Sequence, residues 1–347
     1  MSLRILQLGP YPPPEGGISR NMLAIREELY ACGHSCSIIA TSRSSRVIEE
    51  PDVYHPRSSF ELLRLLSSLN YDILHLHIGG DIGRRVLALA AACVFFGRNR
   101  SVLTLHSGAY PLTVEAREAS PNSIRGTIFQ RFSQLIAVNE AIGDVFRRYG
   151  VKPERIKVIL PFDLRLPDER IEVPKELVDF CERHSPLLLS VGGLEGDYDP
   201  LFQINAMKDI RSEFPNAGLL IVGDGSMRGE VKSVITASGY DESVFIAGNI
   251  EHGITLHLIN DADIVLRTTL FDGDAISIRE AMFLGTPVIA TETKSRPEGV
   301  HLIGIGDKDA LVKKIRQIVS TPKQERPDSL PDNTNIKEIV EIYKGLP

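Results

Sequence analysis

The feature that most constrains the fold is an alternation of strand-like and helix-like segments that runs along the chain twice. Short segments rich in leucine, isoleucine and valine alternate with longer segments whose apolar residues recur at helical spacing. The predicted strands are Leu3–Leu8, Ser35–Thr41, Ile73–Ile78, Ser101–His106, Gln134–Val138, Arg155–Leu160, Leu187–Val191, Gly218–Val222, Val244–Ala247, Ile264–Thr268 and Val288–Thr291. Such strands, separated by helices, predict parallel sheets covered on both faces.

Helices are predicted between these strands, and the alternation is interrupted once. The predicted helices are Ile18–Ala31, Phe60–Leu69, Arg84–Phe96, Ser123–Phe132, Asn139–Tyr149, Leu201–Glu213, Met227–Ser238, Gly253–Asn260, Ala275–Leu284, Lys308–Val319 and Ile336–Lys344. Between Pro161 and Pro186 the sequence becomes charged and proline-rich, which is typical of a connecting segment with one short helix. We therefore predict an α/β protein with two doubly wound domains facing a cleft, at 1–165 and 186–320, joined by a linker at 166–185.

Length and composition fit this organisation. The chain has 347 residues, and single cores rarely grow beyond about 250–300 residues. No secretory signal is evident, and the longest apolar run, Val86–Phe96, is too short to cross a bilayer, so a cytoplasmic protein is expected. The four cysteines are then expected to be reduced thiols.

Charge is distributed unevenly along the chain. Residues 1–165 carry 20 Lys and Arg against 15 Asp and Glu, a net charge of +5, whereas the remaining residues carry −11. A basic half favours contact with an anionic surface such as a membrane, and scattered solvated arginines explain it equally well. The overall net charge of −6, without a cluster of basic and aromatic residues, disfavours nucleic acid as a partner.

The stretch at residues 272–290 carries the most functional information, and we predict a loop, a helix, a turn and a strand there. Asp274 is a candidate cap for the helix N-terminus. The first backbone N–H groups of the helix, at Ala275, Ile276 and Ser277, are backed by the helix dipole and predict a binding site for a diphosphate. A neighbouring glycine leaves the backbone open to close approach.

The same stretch resembles the E-x7-E signature of glycosyltransferase family 4. Asp272 stands in the place of the first Glu, Glu280 matches the second, and 281–290 follows the family's Ala-Met, Gly and Pro-Val-Ile-Ala pattern. The resemblance implies the GT-B fold, with two Rossmann-like domains and a C-terminal helix, here 333–347, that crosses back to the first. It implies that Asp272 bonds hydroxyls of the transferred sugar and Glu280 the ribose. An ordinary amphipathic helix with solvated carboxylates is the alternative.

In the first domain the resemblance implies two further sites. Gly16 and Gly17 open a helix where the family's glycine loop approaches the donor phosphate or the acceptor, although a tight turn explains them too. His106 ends a predicted strand where the family has a histidine near the donor sugar. A neutral imidazole can donate to a sugar hydroxyl or receive a proton. We interpret His75 and His77 as structural, on the argument that alternating strand positions do not share one face.

The second domain contains two glycine turns that match the family. Gly223 and Gly225 match the G-x-G turn beside the nucleotide, and Asn249 lies in a loop whose backbone usually reads the base. Gly192 and Gly193 begin the segment that corresponds to the family's G-R-L-x-x-x-K-G, whose Arg and Lys neutralise the donor diphosphate.

At that segment the chain departs from the family in its cations. Gly193 replaces the Arg and Tyr198 replaces the Lys. Two phosphates in a binding site favour cationic partners, because charge builds on the leaving nucleotide. We expect the helix dipole and another cation, Arg267, Arg228 or Lys294, to compensate; weak or absent activity is the other interpretation.

Metal and dinucleotide sites are disfavoured. Asp272-Gly-Asp274 has the form of a metal-binding D-x-D motif, but the same spacing recurs three more times in the acidic half. The resemblance implies no metal and no cofactor besides the nucleotide-sugar substrate. The first strand is not followed by G-x-G-x-x-G, which argues against a dinucleotide-dependent oxidoreductase.

Together these observations predict a retaining, metal-independent glycosyltransferase. It would move a sugar from a UDP- or GDP-sugar to a glycan or lipid-linked acceptor, in surface polysaccharide or glycolipid biosynthesis. Two alternatives remain open. One is a catalytically silent GT-B subunit, motivated by Gly193 and Tyr198, and the other is a nucleotide-sugar 2-epimerase of the same fold.

Overall fold

The computed structural model describes residues 2–12, 16–42, 50–161, 164–272, 275–293, 296–321 and 332–347. The chain divides into two compact units. The first unit is Met1–Asp163 with Asp332–Pro347, and the second is Leu164–Pro331. Each unit is a parallel sheet with helices packed on it. Within the described ranges, none of the helices combines the length and the apolar character that a membrane span needs.

The first unit is built on a seven-stranded parallel sheet with the strand order β3-β2-β1-β4-β5-β6-β7. Its elements are β1 (Arg4–Gly9), α1 (Gly17–Ala31), β2 (Ser35–Ala40), β3 (Val53–Tyr54), α2 (Ser59–Ser68), β4 (Ile73–Ile78), α3 (Arg84–Gly97), β5 (Ser101–Leu105), α4 (Val114–Arg117), α5 (Ile124–Phe129), β6 (Gln134–Ala137), α6 (Glu140–Arg148) and β7 (Ile156–Val158). The order reverses between β1 and β4, and the carboxyl ends of strands at such a reversal are where doubly wound sheets bind ligands.

Two apolar layers cover this sheet. Leu6 and Leu8 of β1 belong to one layer, together with buried residues of α3, α5 and α6. Ile5 of the same strand belongs to the other layer, which α1 and the C-terminal helix complete. Successive strand residues point to opposite faces, so both faces of β1 are buried, and Gln7 is the one buried polar residue within the strand.

The C-terminal helix α13 (Thr334–Gly345) belongs to the first unit, as the resemblance implies. Ile336, Ile339 and Tyr343 are buried there in one layer with residues of α1. The last segment of the chain therefore completes the core that the first segment begins.

The second unit is built on a six-stranded parallel sheet with the order β10-β9-β8-β11-β12-β13. Its elements are α7 (Lys175–Arg183), β8 (Leu187–Val191), α8 (Pro200–Glu213), β9 (Gly218–Val222), α9 (Arg228–Ala237), β10 (Val244–Gly248), α10 (His252–Asp261), β11 (Ile264–Arg267), α11 (Ile276–Phe283), β12 (Val288–Thr291), β13 (His301–Ile303) and α12 (Lys308–Val319). Here the strand order reverses between β8 and β11.

The predicted elements agree with the observed ones except at short segments. All eleven predicted strands are present, with ends that differ by at most two residues. The sequence analysis missed β3 and β13, which are edge strands of two and three residues, too short to show a period. The segment interpreted as a linker contains α7, whose Leu177 and Phe180 are buried in the core of the second unit.

Candidate functional site

Several glycine-containing turns lie in contact at the carboxyl edge of the second sheet. The Gly192 N–H donates to the Val222 carbonyl over 2.9 Å, and the Gly223 N–H donates to the Gly248 carbonyl over 2.8 Å. Gly223 has a φ of 136°, and a Cβ there would lie 1.9 Å from the Gly192 carbonyl oxygen. Only glycine fits at this position, so the ends of β8, β9 and β10 are held in contact by backbone alone.

The G-x-G turn packs against the loop that contains Gly193. A Cβ on Gly225 would lie 2.4 Å from the Leu194 carbonyl oxygen, and the Leu194 N–H donates to the Asp224 carbonyl over 3.1 Å. Glu195 accepts from both the backbone N–H and the hydroxyl of Ser226. Gly225 is therefore glycine because a side chain there would collide with the backbone of Leu194.

Asp272 is the centre of a buried ionic cluster that we call the Asp272 cluster. It consists of Asp272, Arg267, Arg296 and Thr269. Arg267 Nε donates to Asp272 Oδ2 over 2.9 Å, and Arg296 Nη1 donates to the same oxygen over 2.7 Å. The Thr269 hydroxyl donates to it over 3.2 Å and accepts from Arg296 Nη2 over 2.8 Å. The side chains of Arg267, Arg296 and Asp272 are 11%, 2% and 9% exposed.

The cluster keeps Asp272 ionised. Burial opposes ionisation of its carboxyl group, but the charges of Arg267 and Arg296 outweigh this effect and hold the pKa of Asp272 below its ordinary value. One carboxylate thus faces two guanidinium groups at the carboxyl end of β11. Asp272 already bonds two arginines, so it differs from a carboxylate whose only partner would be a sugar hydroxyl.

Arg267 also contacts the loop that departs from the family. Its Nη1 donates to the Val191 carbonyl over 2.7 Å, and its guanidinium lies 4.8 Å from the centre of the Tyr198 ring. Of the two described cations among the three named from the sequence, Arg267 joins the Asp272 cluster. Arg228 pairs with Asp224 over 3.0 Å, and Lys294 lies outside the described residues.

The helix that carries the second motif residue is α11. Ala275 is its N-cap, and the first N–H groups of any helix lack intrahelical partners, so those of Ile276 and Ser277 remain candidates for an anion. Asp274 lies outside the described residues. Glu280 is 3% exposed, and its Oε1 accepts from His252 Nε2 over 2.6 Å. This carboxylate is therefore held by an imidazole from the start of α10.

The first unit places a row of polar side chains on the face that α1 and α13 cover. Gln7 of β1 is paired in register with His75 of β4, and His77 of β4 with Thr104 of β5. His77 Nδ1 lies 3.2 Å from His106 Nε2. The interpretation that His75 and His77 cannot share a face is wrong, because residues two apart on a strand point the same way. Their ring centroids are 3.9 Å apart.

These imidazoles are neutral near pH 7. Burial lowers the pKa of His106 to about 3, and burial with the adjacent His106 lowers the pKa of His75 to about 3. Burial also lowers the pKa of His77, with contributions from both neighbours. His106 is consequently a hydrogen-bonding group at neutral pH and a poor receiver of protons.

Gly16 and Gly17 lie at the start of α1, with Gly16 as the N-cap. The Ser19 hydroxyl accepts from the Gly16 N–H over 2.9 Å, which closes the first turn. A Cβ on Gly16 would contact no described residue, so packing within the described part of the chain does not require glycine here.

The sequence-predicted residues fall into two groups. Gly192, Gly193, Gly223, Gly225, Asn249, Asp272, Ala275, Ile276, Ser277 and Glu280 lie in the second unit around the carboxyl edge of its sheet, and Gly16, Gly17 and His106 lie at the corresponding edge of the first. Sequence reasoning missed the partners Arg296, Thr269, His252 and Gln7. For Thr269 and Arg296 a signal was present, because each follows a strand neighbouring the motif and carboxyl ends of parallel strands share one edge.

Comparisons with known proteins agree with this architecture. A model of "Glycosyltransferase Family 4" matches residues 15–162, and one of "Glycosyl transferases group 1" matches residues 182–334. An uncharacterized glycosyltransferase of Methanocaldococcus jannaschii is 24% identical over 128 residues, which are 36% of this chain and 31% of that protein. The chain thus aligns with about a third of the length of this curated relative.

Solved structures match over nearly the whole chain. HepE of Anabaena, in complex with UDP-glucose, has a TM-score of 0.73 at 18% identity, with 99% of this chain and 100% of HepE covered. WaaG, a glycosyltransferase involved in lipopolysaccharide biosynthesis, has a TM-score of 0.68 at 15% identity, with 98% of this chain and 100% of WaaG covered. At these identities the likeness establishes a shared two-domain α/β fold, GT-B.

Proposed function

Because this chain belongs to the group 1 and family 4 glycosyltransferases, we propose that it transfers a sugar from a nucleotide-sugar donor to a glycan or lipid-linked acceptor. The transfer retains the anomeric configuration and needs no metal ion. The observation that carries this proposal is the Asp272 cluster beside the N-terminus of α11, at the reversal of strand order between β8 and β11.

The donor is held by the second unit. Its diphosphate lies against the backbone N–H groups of Ala275, Ile276 and Ser277, where the helix dipole favours an anion. Arg267 and Arg296 supply the positive charge that Gly193 and Tyr198 do not. Two guanidinium groups share one carboxylate, so the cluster retains cationic character for the leaving nucleotide.

Glu280 bonds the ribose of the donor. Its Oε1 is already held by His252, and this contact fixes the orientation of the carboxylate. A carboxylate has two oxygens, so Oε2 is the atom that accepts hydrogen bonds from the ribose hydroxyls. Asp272 orients the arginines and bonds the transferred sugar with its remaining lone pairs. A UDP-sugar is the first candidate donor because HepE was solved with UDP-glucose, and a GDP-sugar is the second.

The leaving phosphate deprotonates the acceptor on the face from which it departs, which retains the anomeric configuration. The protein's contribution is to bind both substrates in reacting geometry and to exclude water, and proximity alone is worth about 7–11 kcal/mol of barrier in favourable cases. We assign to His106 a hydrogen bond to a sugar hydroxyl, because a neutral imidazole can bond such a group.

A membrane-associated acceptor in surface polysaccharide or glycolipid assembly fits the surface of the first unit. Phe60, Leu63 and Phe95 of α2 and α3 are 79%, 42% and 75% exposed, and every basic residue before Lys152 is an arginine. Exposed aromatic residues near cationic side chains favour an interface with anionic lipid. We propose a cytoplasmic enzyme that contacts the membrane peripherally.

Vesicle flotation tests this contact. Phe60→Ser with Phe95→Ser is expected to reduce binding to vesicles containing an anionic lipid by about 10-fold, because two exposed aromatic side chains that would insert into the lipid surface are lost. Ile305→Ser, at a 57% exposed residue of the second unit, is the matched control and should bind as the wild type does. Equal binding by all three proteins would remove the membrane from the proposal.

A catalytically silent subunit is the second candidate. The observation in its favour is that Gly193 and Tyr198 stand where the family has cations, while Arg267 and Arg296 already bond Asp272. Chromatographic separation followed by mass analysis of a UDP-sugar incubated in EDTA, with and without acceptor, separates the candidates, because epimers share one mass but differ in retention. Free nucleotide supports a transferase, an isomerised donor supports a 2-epimerase, and an unchanged donor supports the silent subunit.

A further inference from the structure

The polar row of the first unit contains a chain of hydrogen bonds whose donors and acceptors follow from chemistry alone. It begins at Gln7, a fully buried residue of β1 at the reversal of strand order. Gln7 Nε2 lies 3.0 Å from the Met22 carbonyl oxygen and 3.1 Å from Cys36 Sγ. A carbonyl oxygen only accepts, so the NH₂ group of Gln7 faces Met22. The side-chain oxygen of Gln7, Oε1, then faces the neighbouring strand β4.

The next link is His77. Its Nε2 lies 3.0 Å from Gln7 Oε1, and since that oxygen only accepts, His77 Nε2 carries a hydrogen. A neutral imidazole has one N–H, so His77 Nδ1 presents a lone pair. This lone pair is directed at His106 Nε2 over 3.2 Å. His106 Nε2 must therefore be the donor.

The series of hydrogen bonds ends at His106 Nδ1. Because His106 is neutral and its hydrogen is on Nε2, Nδ1 presents a lone pair. Within the described part of the chain no group bonds this atom, and the side chain is half-buried. His75, whose ring packs on His77, is closed to substrate because its two nitrogens bond Tyr343 and Thr104 over 2.5 and 2.7 Å.

We propose that Gln7 and His77 are positioning residues that hold His106 in its Nε2–H tautomer, so that Nδ1 accepts a hydrogen bond from a hydroxyl group of the substrate. The assignment of a substrate hydroxyl rests on the proposed function, whereas the tautomer does not. A lone pair attracts a hydroxyl hydrogen and repels phosphate or carboxylate oxygens, so His106 selects a sugar hydroxyl and rejects an anion.

Nitrogen NMR of histidine-labelled protein near pH 7 tests the tautomer directly. We expect a pyrrole-like resonance for His106 Nε2 and a pyridine-like resonance for Nδ1, assigned by the signals missing in His106→Gln. The same pattern is expected for His77. A hydrogen on His106 Nδ1, or an equal mixture of tautomers, would overturn the proposal whatever the enzyme's activity.

Two substitutions at Gln7 test the cause. Gln7→Met fills a similar volume without an acceptor and is expected to shift His106 towards the Nδ1–H form. Gln7→Glu, protonated in this buried place, keeps an oxygen that accepts from His77 and an O–H that donates to Met22. It should preserve the wild-type tautomer. An unchanged His106 spectrum in Gln7→Met would show that another group sets the tautomer.

Transfer kinetics connect the tautomer to substrate. Loss of one hydrogen bond to the sugar is expected to lower kcat/KM of Gln7→Met by about 10-fold, with Gln7→Glu within about 3-fold of wild type. If the tautomer is as assigned but no transfer is measurable in wild type, the proposed function fails and the positioning role stands. If transfer occurs and both variants match wild type, substrate recognition by His106 Nδ1 is wrong.

Discussion

The two units place polar groups at the same topological position but use opposite electrostatics. In the first unit, Gln7 and His77 lie where the strand order reverses between β1 and β4. In the second unit, Arg267 lies where it reverses between β8 and β11. The first row is neutral and made of hydrogen bonds, whereas the Asp272 cluster is made of paired charges.

The difference follows from where each group lies relative to the sheet. The neutral row stands on a sheet face covered by two helices, where an isolated charge is costly and hydrogen-bonded neutral groups are tolerated. The Asp272 cluster stands at the end of a strand and in the loops beyond it, where two cations share one carboxylate. A neutral row suits recognition of hydroxyl groups, and a cationic edge suits a diphosphate.

The largest expected effect concerns the charged side of this comparison. Asp272→Asn leaves two buried guanidinium groups without their carboxylate, so it should lower the free energy of unfolding by about 3 kcal/mol. Asp168→Asn is the matched control, because Asp168 pairs with Arg170 at the surface, where such pairs contribute about 0–1 kcal/mol. Urea unfolding of both variants measures the difference, and equal losses would contradict a buried cluster.

The neutral histidines of the first unit should make the folded protein less stable in acid. His75 has a pKa of about 3 in the folded state and about 6.5 when unfolded, so the unfolded chain binds more protons between these values. Stability is fully present above pH 6.5 and falls with pH below it, by about 2 kcal/mol for His75 between pH 6.5 and 5.

Urea unfolding at pH 7 and pH 5 measures this loss. In His75→Gln, the loss between the two pH values should shrink by about 2 kcal/mol, because glutamine does not titrate. A pH dependence that is the same in both proteins would show that His75 is not held neutral by the fold.

The smallest effect concerns the contact of Tyr198 with Arg267. Removing a partly buried cation–π contact costs about 1 kcal/mol, so Tyr198→Leu should weaken nucleotide binding by about 5-fold. Tyr30→Leu is the matched control, because Arg26 lies 5.5 Å from that ring in the first unit. Calorimetry should find unchanged nucleotide affinity in Tyr30→Leu. Equal affinities in the two variants would leave Tyr198 without a role at the donor site.

The fold could be predicted from the sequence because its signal is long-range and repetitive. Eleven strands were found from apolar runs, and Asp272 and Glu280 were found from the resemblance of their stretch to a family signature. The strands β3 and β13 were missed because they are too short for a period.

The partners of the site residues could not be predicted in the same way. Arg296 contacts Asp272 from 24 positions away, and His252 contacts Glu280 from 28, and no local pattern marks such pairs. The error at His75 and His77 was one of geometry, since the period of a strand is two and both rings share a face. Gln7 has no motif at all. Its role appears only when adjacent strands are placed in register.

The most direct test of the account is calorimetric titration of UDP and of GDP, in EDTA, into wild type, Glu280→Gln and the exposed control Glu298→Gln. The account predicts binding of one nucleotide without metal. It predicts a roughly 10- to 100-fold loss in Glu280→Gln, because a hydrogen bond to a charged group is removed, and no loss in the control. Equal affinity in all three proteins would contradict the role of Glu280, and no binding of either nucleotide would favour the silent subunit.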